Sequence, residues 1–217
     1  MTKIMDVSEA AALVKDGMSV MVGGFLGCGS PDLLIDEIVK NRVVNLTIIA
    51  NDTGFPGASL GKLQDNHSIK KLYVSYIGGH PETGRQMQNG EIEVVLVPQG
   101  NLAEKIRAEG FGLGGILTPT GVGTIVQEGK ELIEVEGKKY ILERPLKADV
   151  ALIKAHKADE KGNLIYRKSA KNFNPLMATA ADLVIAEVDE IVAIGSIDPE
   201  LVHTPGLFVD IIAKGGK

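Results

Sequence analysis

The stretch with the most chemical content is Val20-Met21-Val22-Gly23-Gly24-Phe25-Leu26-Gly27-Cys28-Gly29-Ser30-Pro31. It opens with three consecutive apolar residues, followed by four glycines in seven positions and a serine-proline pair. The order reads as a buried strand, a loop that can be approached closely, and the start of a helix. The first N–H groups of such a helix lack intrahelical partners and carry the positive end of its dipole. Strand, glycine loop and helix together would therefore cradle an anion or a cofactor. A tight strand-to-helix turn packed with small residues gives the same pattern.

Other motifs point less well to chemistry. Gly110-Phe111-Gly112-Leu113-Gly114-Gly115 satisfies the dinucleotide fingerprint, but a helical segment stands before it where a strand is needed. Gly57-Ala58-Ser59-Leu60-Gly61 matches a serine-hydrolase elbow, yet Pro56 separates it from the strand ending at Ile49. The histidines at 67, 80, 156 and 203 stand singly, without metal-ligand spacing, so no metal is expected. His203 reads as a loop histidine. Cys28 lies near a helix start, which would lower its pKa, but it reads as a small buried packing residue. What remains is Asn51, Gln99 and Asn172, each just after an expected strand or near a helix start. Such side chains donate hydrogen bonds without titrating, which suits oxyanion or carboxylate recognition. The residues alone thus describe a binder of a phosphate- or carboxylate-bearing small molecule.

The elements that must position them alternate along the chain. A capping-box spacing at Asp6-Val7-Ser8-Glu9 predicts a helix running to Asp16-Gly17. After Pro31, apolar residues at 33, 34, 35, 38 and 39 predict a second helix, ending near Asn41. Strands are expected at 46–50, 71–77, 92–97, 149–153, 183–188, 190–194 and 208–212, with helices at 82–88, 101–108 and after Asn174-Pro175. Alternating residues around Gly137-Lys138 predict a small β-hairpin excursion near 131–143. Neither an internal repeat nor a linker is evident. The expectation is a single domain over 1–217, an α/β three-layer sandwich around a mostly parallel sheet, with ligands at the carboxyl ends of the strands.

Composition narrows the function further. The 217 residues are 44% hydrophobic and 24% charged, enough for one sizeable core. A net charge of −5, no tryptophan and 4% aromatics argue against nucleic acid. No apolar run reaches the ~18 residues of a membrane span, and no signal core opens the chain, so a cytoplasmic location is expected. The single cysteine agrees with a reducing compartment.

The motif Asp16-Gly17, Val20 to Phe25, Gly29 and Pro31 resembles, at every fixed position, the signature of alpha subunits of class I, 3-oxoacid-type CoA-transferases. Three further blocks are similar to the same family. They are Asn51-Asp52-Thr53-Gly54, Pro98-Gln99-Gly100 with Leu102 and Glu104 to Arg107 running into Gly114 to Thr124, and Asn172-Phe173-Asn174-Pro175 with Met177-Ala178. Thr204-Pro205-Gly206 is a weaker match, and Lys105 departs from a common arginine. The resemblance implies a Rossmann-like sandwich, a beta-subunit partner in an α2β2 assembly, and coenzyme A as substrate with no tightly bound cofactor. It implies ping-pong transfer through a glutamate in a Ser-Glu-Asn-Gly motif of the partner, a motif this chain lacks. It carries Gly24, Phe25, Leu26, Gly27, Cys28, Gly29 and Ser30 over as the CoA-associated loop. Gln99 carries over as the residue facing the reacting carbonyl, with Asn51 and Gly100 at the substrate. Acetate or butyrate:acetoacetate enzymes look most similar, and succinate:3-ketoacid and 3-oxoadipate enzymes are close runners-up. An effector-binding module on the same fold, such as a sugar-phosphate sensor, is the alternative. It would carry a DNA-binding helix-turn-helix, which is not seen.

Overall fold

Alternation along single strands sets the layers. In β2 (Ser19–Val22), Val20 and Val22 pack on one side of the sheet and Met21 on the other, and all three are buried. Residues buried on both faces mark a parallel sheet covered twice. A computed structural model describes residues 2–214.

The chain begins with β1 (Lys3–Asp6) and α1 (Val7–Ala11), and β2 leads to α2 (Asp32–Lys40). Then follow β3 (Leu46–Ile49), α3 (Gly61–Asp65), β4 (Ile69–Val74), α4 (Pro81–Gln88), β5 (Glu93–Leu96) and α5 (Gln99–Gly110). An excursion of β6 (Ile116–Thr118), β7 (Leu132–Val135) and β8 (Lys138–Glu143) precedes β9 (Ala148–Asp159) and β10 (Leu164–Ile165). The chain returns through α6 (Asn174–Met177), β11 (Ala181–Val192) and β12 (Ile211–Lys214). The large sheet runs β1-β12-β11-β9-β2-β3-β4-β5 with every pair parallel, and β10 folds back antiparallel on β9. Ala10, Ala11, Leu34, Ile35, Ile38 and Leu63 bring α1, α2 and α3 onto one face. Leu102, Ile106 and Met177 bring α5 and α6 onto the other. This is the three-layer α/β sandwich expected.

Several local expectations are corrected. The first helix stops at Ala11, and Asp6 makes no side-chain cap. Asp6 is the last residue of β1, paired with Lys214, so the ladder holds it and the helix starts without the box. The strands expected at 183–188 and 190–194 are one twelve-residue strand, paired with β9 from Ala181↔Ala148 to Val192↔Asp159. β1 and α3 were not anticipated. The hairpin near 131–143 forms, turning through Glu136 and Gly137 at positive φ, and β6 adds a third antiparallel strand.

Glu143, only 1% exposed, anchors this excursion to the sandwich. Its carboxylate accepts from Lys130 Nζ at 2.7 Å, Lys105 Nζ at 2.9 Å and Asn101 Nδ2 at 3.3 Å. Burial pushes its pKa up, but Lys130 and Lys105 outweigh that and hold the carboxyl below its ordinary value.

Candidate functional site

The glycine loop leaves β2 at the carboxyl edge of the sheet and closes on itself. Phe25 and Cys28 exchange backbone hydrogen bonds at 3.1 and 2.9 Å across a turn whose central residues, Leu26 and Gly27, both have positive φ. The loop after β3 makes a second turn of similar form, with Ala58 N–H donating to the Phe55 carbonyl at 3.1 Å. Gly-Phe-x-Gly thus occurs in both turns, at 24–27 and 54–57. The loops touch: a Cβ on Gly27 would lie 3.1 Å from Ser59 Oγ. Ser59, the apparent hydrolase serine, packs here in a turn and not on a strand-to-helix elbow. The crevice between the loops, lined by Gly24, Gly27, Ser30 and Asn51 among others, is about 10 Å³, scarcely one water. The crevice therefore holds no room for a ligand between the loops.

Much of the glycine pattern answers to the chain itself. A Cβ on Gly23 would strike the Asn174 amide, one on Gly24 would lie 3.3 Å from the Ser30 backbone, and one on Gly29 would lie 2.9 Å from Ala170 Cα. Asn174, fully buried, donates from Nδ2 to the Gly29 and Ala170 carbonyls at 3.0 and 2.9 Å and accepts from Lys154 N–H at 3.0 Å. Asn172 donates to the Cys28 carbonyl at 2.9 Å. The two asparagines that precede and open α6 therefore clamp the loop from outside. Cys28 itself is exposed, not buried as expected, with Sγ 3.4 Å from Ser169 Oγ, because the turn pushes its side chain outward.

The helix N–H donors that the sequence suggested are not open to a ligand. The N–H groups of Leu33 and Leu34 in the first turn of α2 both donate to Glu187 Oε2, at 2.9 and 3.1 Å. Glu187 reaches them from β11 and also accepts from Lys154 Nζ at 3.1 Å. Burial pushes its carboxyl above the ordinary range, against the pull of Lys154 and the helix donors. The N-terminus of α2 is thus satisfied internally. Within the loop, Gly24, Gly27 and Gly29 N–H groups find no acceptor among the described residues, and buried Ser30 Oγ has no partner. Unpartnered backbone donors of this kind suit recognition of an oxyanion or a carboxylate.

Asn51, after β3, and Gln99, the first residue of α5 beyond β5, meet at the same edge. Gln99 Nε2 donates to Asn51 Oδ1 at 2.6 Å, and Asn51 Nδ2 donates to Asp52 Oδ2 at 2.7 Å. Asp52 Oδ2 also accepts from Leu26 N–H at 2.8 Å, joining the amide pair to the glycine loop. Asn51 is 2% exposed, whereas Gln99 and Gly100 face solvent. A Cβ on Gly100 would meet nothing, and its backbone is not left-handed, so no contact within the chain explains that glycine. Gly110 to Gly115 ends α5 and enters β6, confirming the wrong context for a dinucleotide site. His203 is structural: its Nδ1 accepts from Tyr166 N–H at 2.9 Å and its ring stacks on Tyr166. Burial first, then Lys171, pulls its pKa down. No cluster of three metal-binding side chains occurs among the described residues, and no helix there is long and apolar enough to cross a membrane.

Comparison with known proteins gives this geometry a family. The family model described as Coenzyme A transferase matches residues 4–215. The chain is 52% identical over 211 residues to the alpha chain of the acetate CoA-transferase of Escherichia coli, covering 97% of this chain and 96% of that one. It is 49% identical over 213 residues to the acetoacetyl-CoA:acetate/butyrate CoA transferase alpha subunit of Clostridium acetobutylicum, covering 98% of each. It is also 49% identical over 214 residues to one of the subunits of the succinyl-CoA:3-ketoacid coenzyme A transferase of Helicobacter pylori, covering 99% and 92%. Among solved structures, an Escherichia coli acyl-CoA transferase in a thioester complex with CoA superposes with a TM-score of 0.88 at 22% identity. That match covers 99% of this chain and 47% of the other, so this chain spans about half of its length. Sequence motif, sheet topology and near full-length matches agree that the chain belongs to the coenzyme A transferase family.

Proposed function

We propose that this chain is the alpha subunit of an enzyme that moves CoA from acetoacetyl-CoA to acetate or butyrate, completed by a beta subunit that supplies the nucleophile. The observation that carries this is the convergence at one sheet edge of unpartnered glycine-loop N–H groups with the Asn51–Gln99 amide pair. These groups stabilise charge, but none can attack a thioester. The alpha and acetate/butyrate roles come from the names of relatives at 49–52% identity.

Three buried carboxylates of the chain are already hydrogen-bonded. Glu143 and Glu187 are buried and hydrogen-bonded, and both Asp52 oxygens accept hydrogen bonds. Glu109 lies in the last turn of α5, about 15 Å along the helix from Gln99. A glutamate of the beta subunit would therefore attack the acyl carbonyl, and its negative oxygen would fall to the donors of this chain. Expulsion of CoA thiolate gives an acyl-glutamyl anhydride. The thiolate then attacks the glutamyl carbonyl and releases the first acid, leaving a glutamyl-CoA thioester, and the acceptor acid reverses both steps. Gly24 to Ser30 would lie against the thioester end of CoA, with Asn51 and Gly100 beside the acyl group. A completing surface also suits Phe25, Leu26, Phe55 and Tyr76, large apolar side chains left 40 to 49% exposed at this edge. A hollow of about 790 Å³ beside Gly17, Asn45 and Lys70 lies at the opposite, amino edge.

The test is Gln99→Ala in the assembled enzyme, assayed for transfer from acetoacetyl-CoA to acetate. Loss of one oxyanion donor typically lowers kcat by ~10²–10³. A kcat within a few-fold of the unmodified enzyme would make Gln99 a turn residue.

A further inference from the structure

We infer that Asp52 is a positioning residue that sets the polarity of the Gln99 amide through Asn51, an inference that rests on the reading of Gln99 as an oxyanion donor. Asp52 is 6% exposed and has no basic side chain within ion-pair distance among the described residues. An isolated buried carboxylate is costly, so its environment must supply donors. It does: Oδ2 accepts from Leu26 N–H at 2.8 Å and from Asn51 Nδ2 at 2.7 Å, and Oδ1 accepts from Gly54 N–H at 2.9 Å. Two of these donors are backbone groups of the two facing loops, so the carboxylate cannot easily be moved.

An ionised carboxylate only accepts. It therefore obliges Asn51 to turn Nδ2 inward, which turns Asn51 Oδ1 toward Gln99 and Ser75. There Oδ1 accepts from Gln99 Nε2 at 2.6 Å, while the Ser75 hydroxyl, 3.2 Å away, donates to the Asn51 main-chain carbonyl at 2.8 Å. Gln99 must answer with its NH2 group, which leaves the second Nε2 hydrogen free at the exposed end of the side chain. Without an acceptor-only neighbour, Asn51 can present either end of its amide. Gln99 would then present Oε1 to an inverted Asn51, exchanging donor and acceptor where the substrate oxygen is to bind.

A double-mutant cycle in the enzyme assembled with its beta subunit tests this. Asp52→Asn keeps the size and removes the acceptor-only character. It should lower kcat by ~10–10² while the KM for acetoacetyl-CoA changes less than about threefold, since the defect lies in the charge-stabilising donor. In a Gln99→Ala background the same change should alter kcat less than about twofold, because there is no amide left to orient. If asparagine blocks assembly, Asp52→Ser reads the same cycle. An equal loss in both backgrounds, or an unchanged kcat for Asp52→Asn, overturns the inference while leaving a costly Gln99→Ala intact. A harmless Gln99→Ala fails the earlier reading and this one with it.

Discussion

Gly23→Ala isolates what holds the glycine loop in place. The added Cβ would run into Asn174 Oδ1 and lie 2.7 Å from its Cγ. Asn174 is fully buried and cannot swing into solvent, so the amide must leave its hydrogen bonds with Lys154 N–H, Gly29 O and Ala170 O. Each bond is worth about 1 kcal/mol net. Overpacking a filled site adds about 1–3 kcal/mol. The total is about 4–6 kcal/mol, which for a chain of this size lowers Tm by roughly 8–24 °C. Thermal and denaturant unfolding of the two proteins measures it, with the denaturant slope as a check on the cooperative transition. Because the clash is pairwise, adding Gly23→Ala to Asn174→Ala should cost less than about 1 kcal/mol further. A Gly23→Ala protein that melts with the unmodified one would refute the clamp, as would full additivity of the two substitutions.

Glu143→Gln should cost about 2 kcal/mol at pH 7 by unpairing Lys105 and Lys130. Because the folded carboxyl lies below its unfolded pKa of about 4.5, that stabilisation is present above pH ~4.5 and lost as pH falls through the folded value. The gap between the two proteins should therefore close in acid, and a gap that widens there contradicts the account. Glu187→Ala strips the acceptor from Leu33 and Leu34 N–H and the partner from Lys154, and should cost about 3–5 kcal/mol by denaturant unfolding. A cost under 1 kcal/mol would mean that water replaces it freely. Gly100→Ala meets open space in a helix and should hold or raise stability by about 0.5–1 kcal/mol while lowering kcat/KM. Unchanged kinetics would remove Gly100 from the substrate. Acetate and butyrate should differ in kcat/KM by about 30-fold to 10⁴-fold, because two methylenes in an apolar pocket carry ~2–6 kcal/mol.

The sandwich was legible because parallel strands buried on both faces leave continuous apolar runs, as at Leu46-Thr47-Ile48-Ile49 and Ala151-Leu152-Ile153. β1 was not legible, since Lys3 to Asp6 becomes a strand only by pairing with residues 211 to 214 at the other end of the chain. α3 is a five-residue helix opened by Gly61 with no side-chain cap, so nothing local announced it. At the site, the strand-to-loop positions of Asn51 and Gln99 suggested their chemistry, but their contact spans 48 positions and needs the sheet to form. The helix-dipole cradle failed for the same kind of reason. Glu187 and Lys154 sit at one register of β11 and β9, and only that pairing brings the glutamate to α2. A signal was present: each is a lone charge within an apolar run, Val184-Ile185-Ala186-Glu187-Val188 and Leu152-Ile153-Lys154-Ala155. Opposite charges inside two buried strands seek each other.

In the proposed enzyme this chain holds the charge-stabilising half of the site and a beta subunit holds the nucleophile. Incubating the assembled enzyme with acetoacetyl-CoA, reducing the glutamyl thioester with borohydride and locating the modified residue by mass spectrometry tests it most directly. The modification should fall on a glutamate of the beta subunit, and this chain purified alone should transfer no CoA. A modified carboxylate in this chain, or full transfer by this chain alone, would contradict the account.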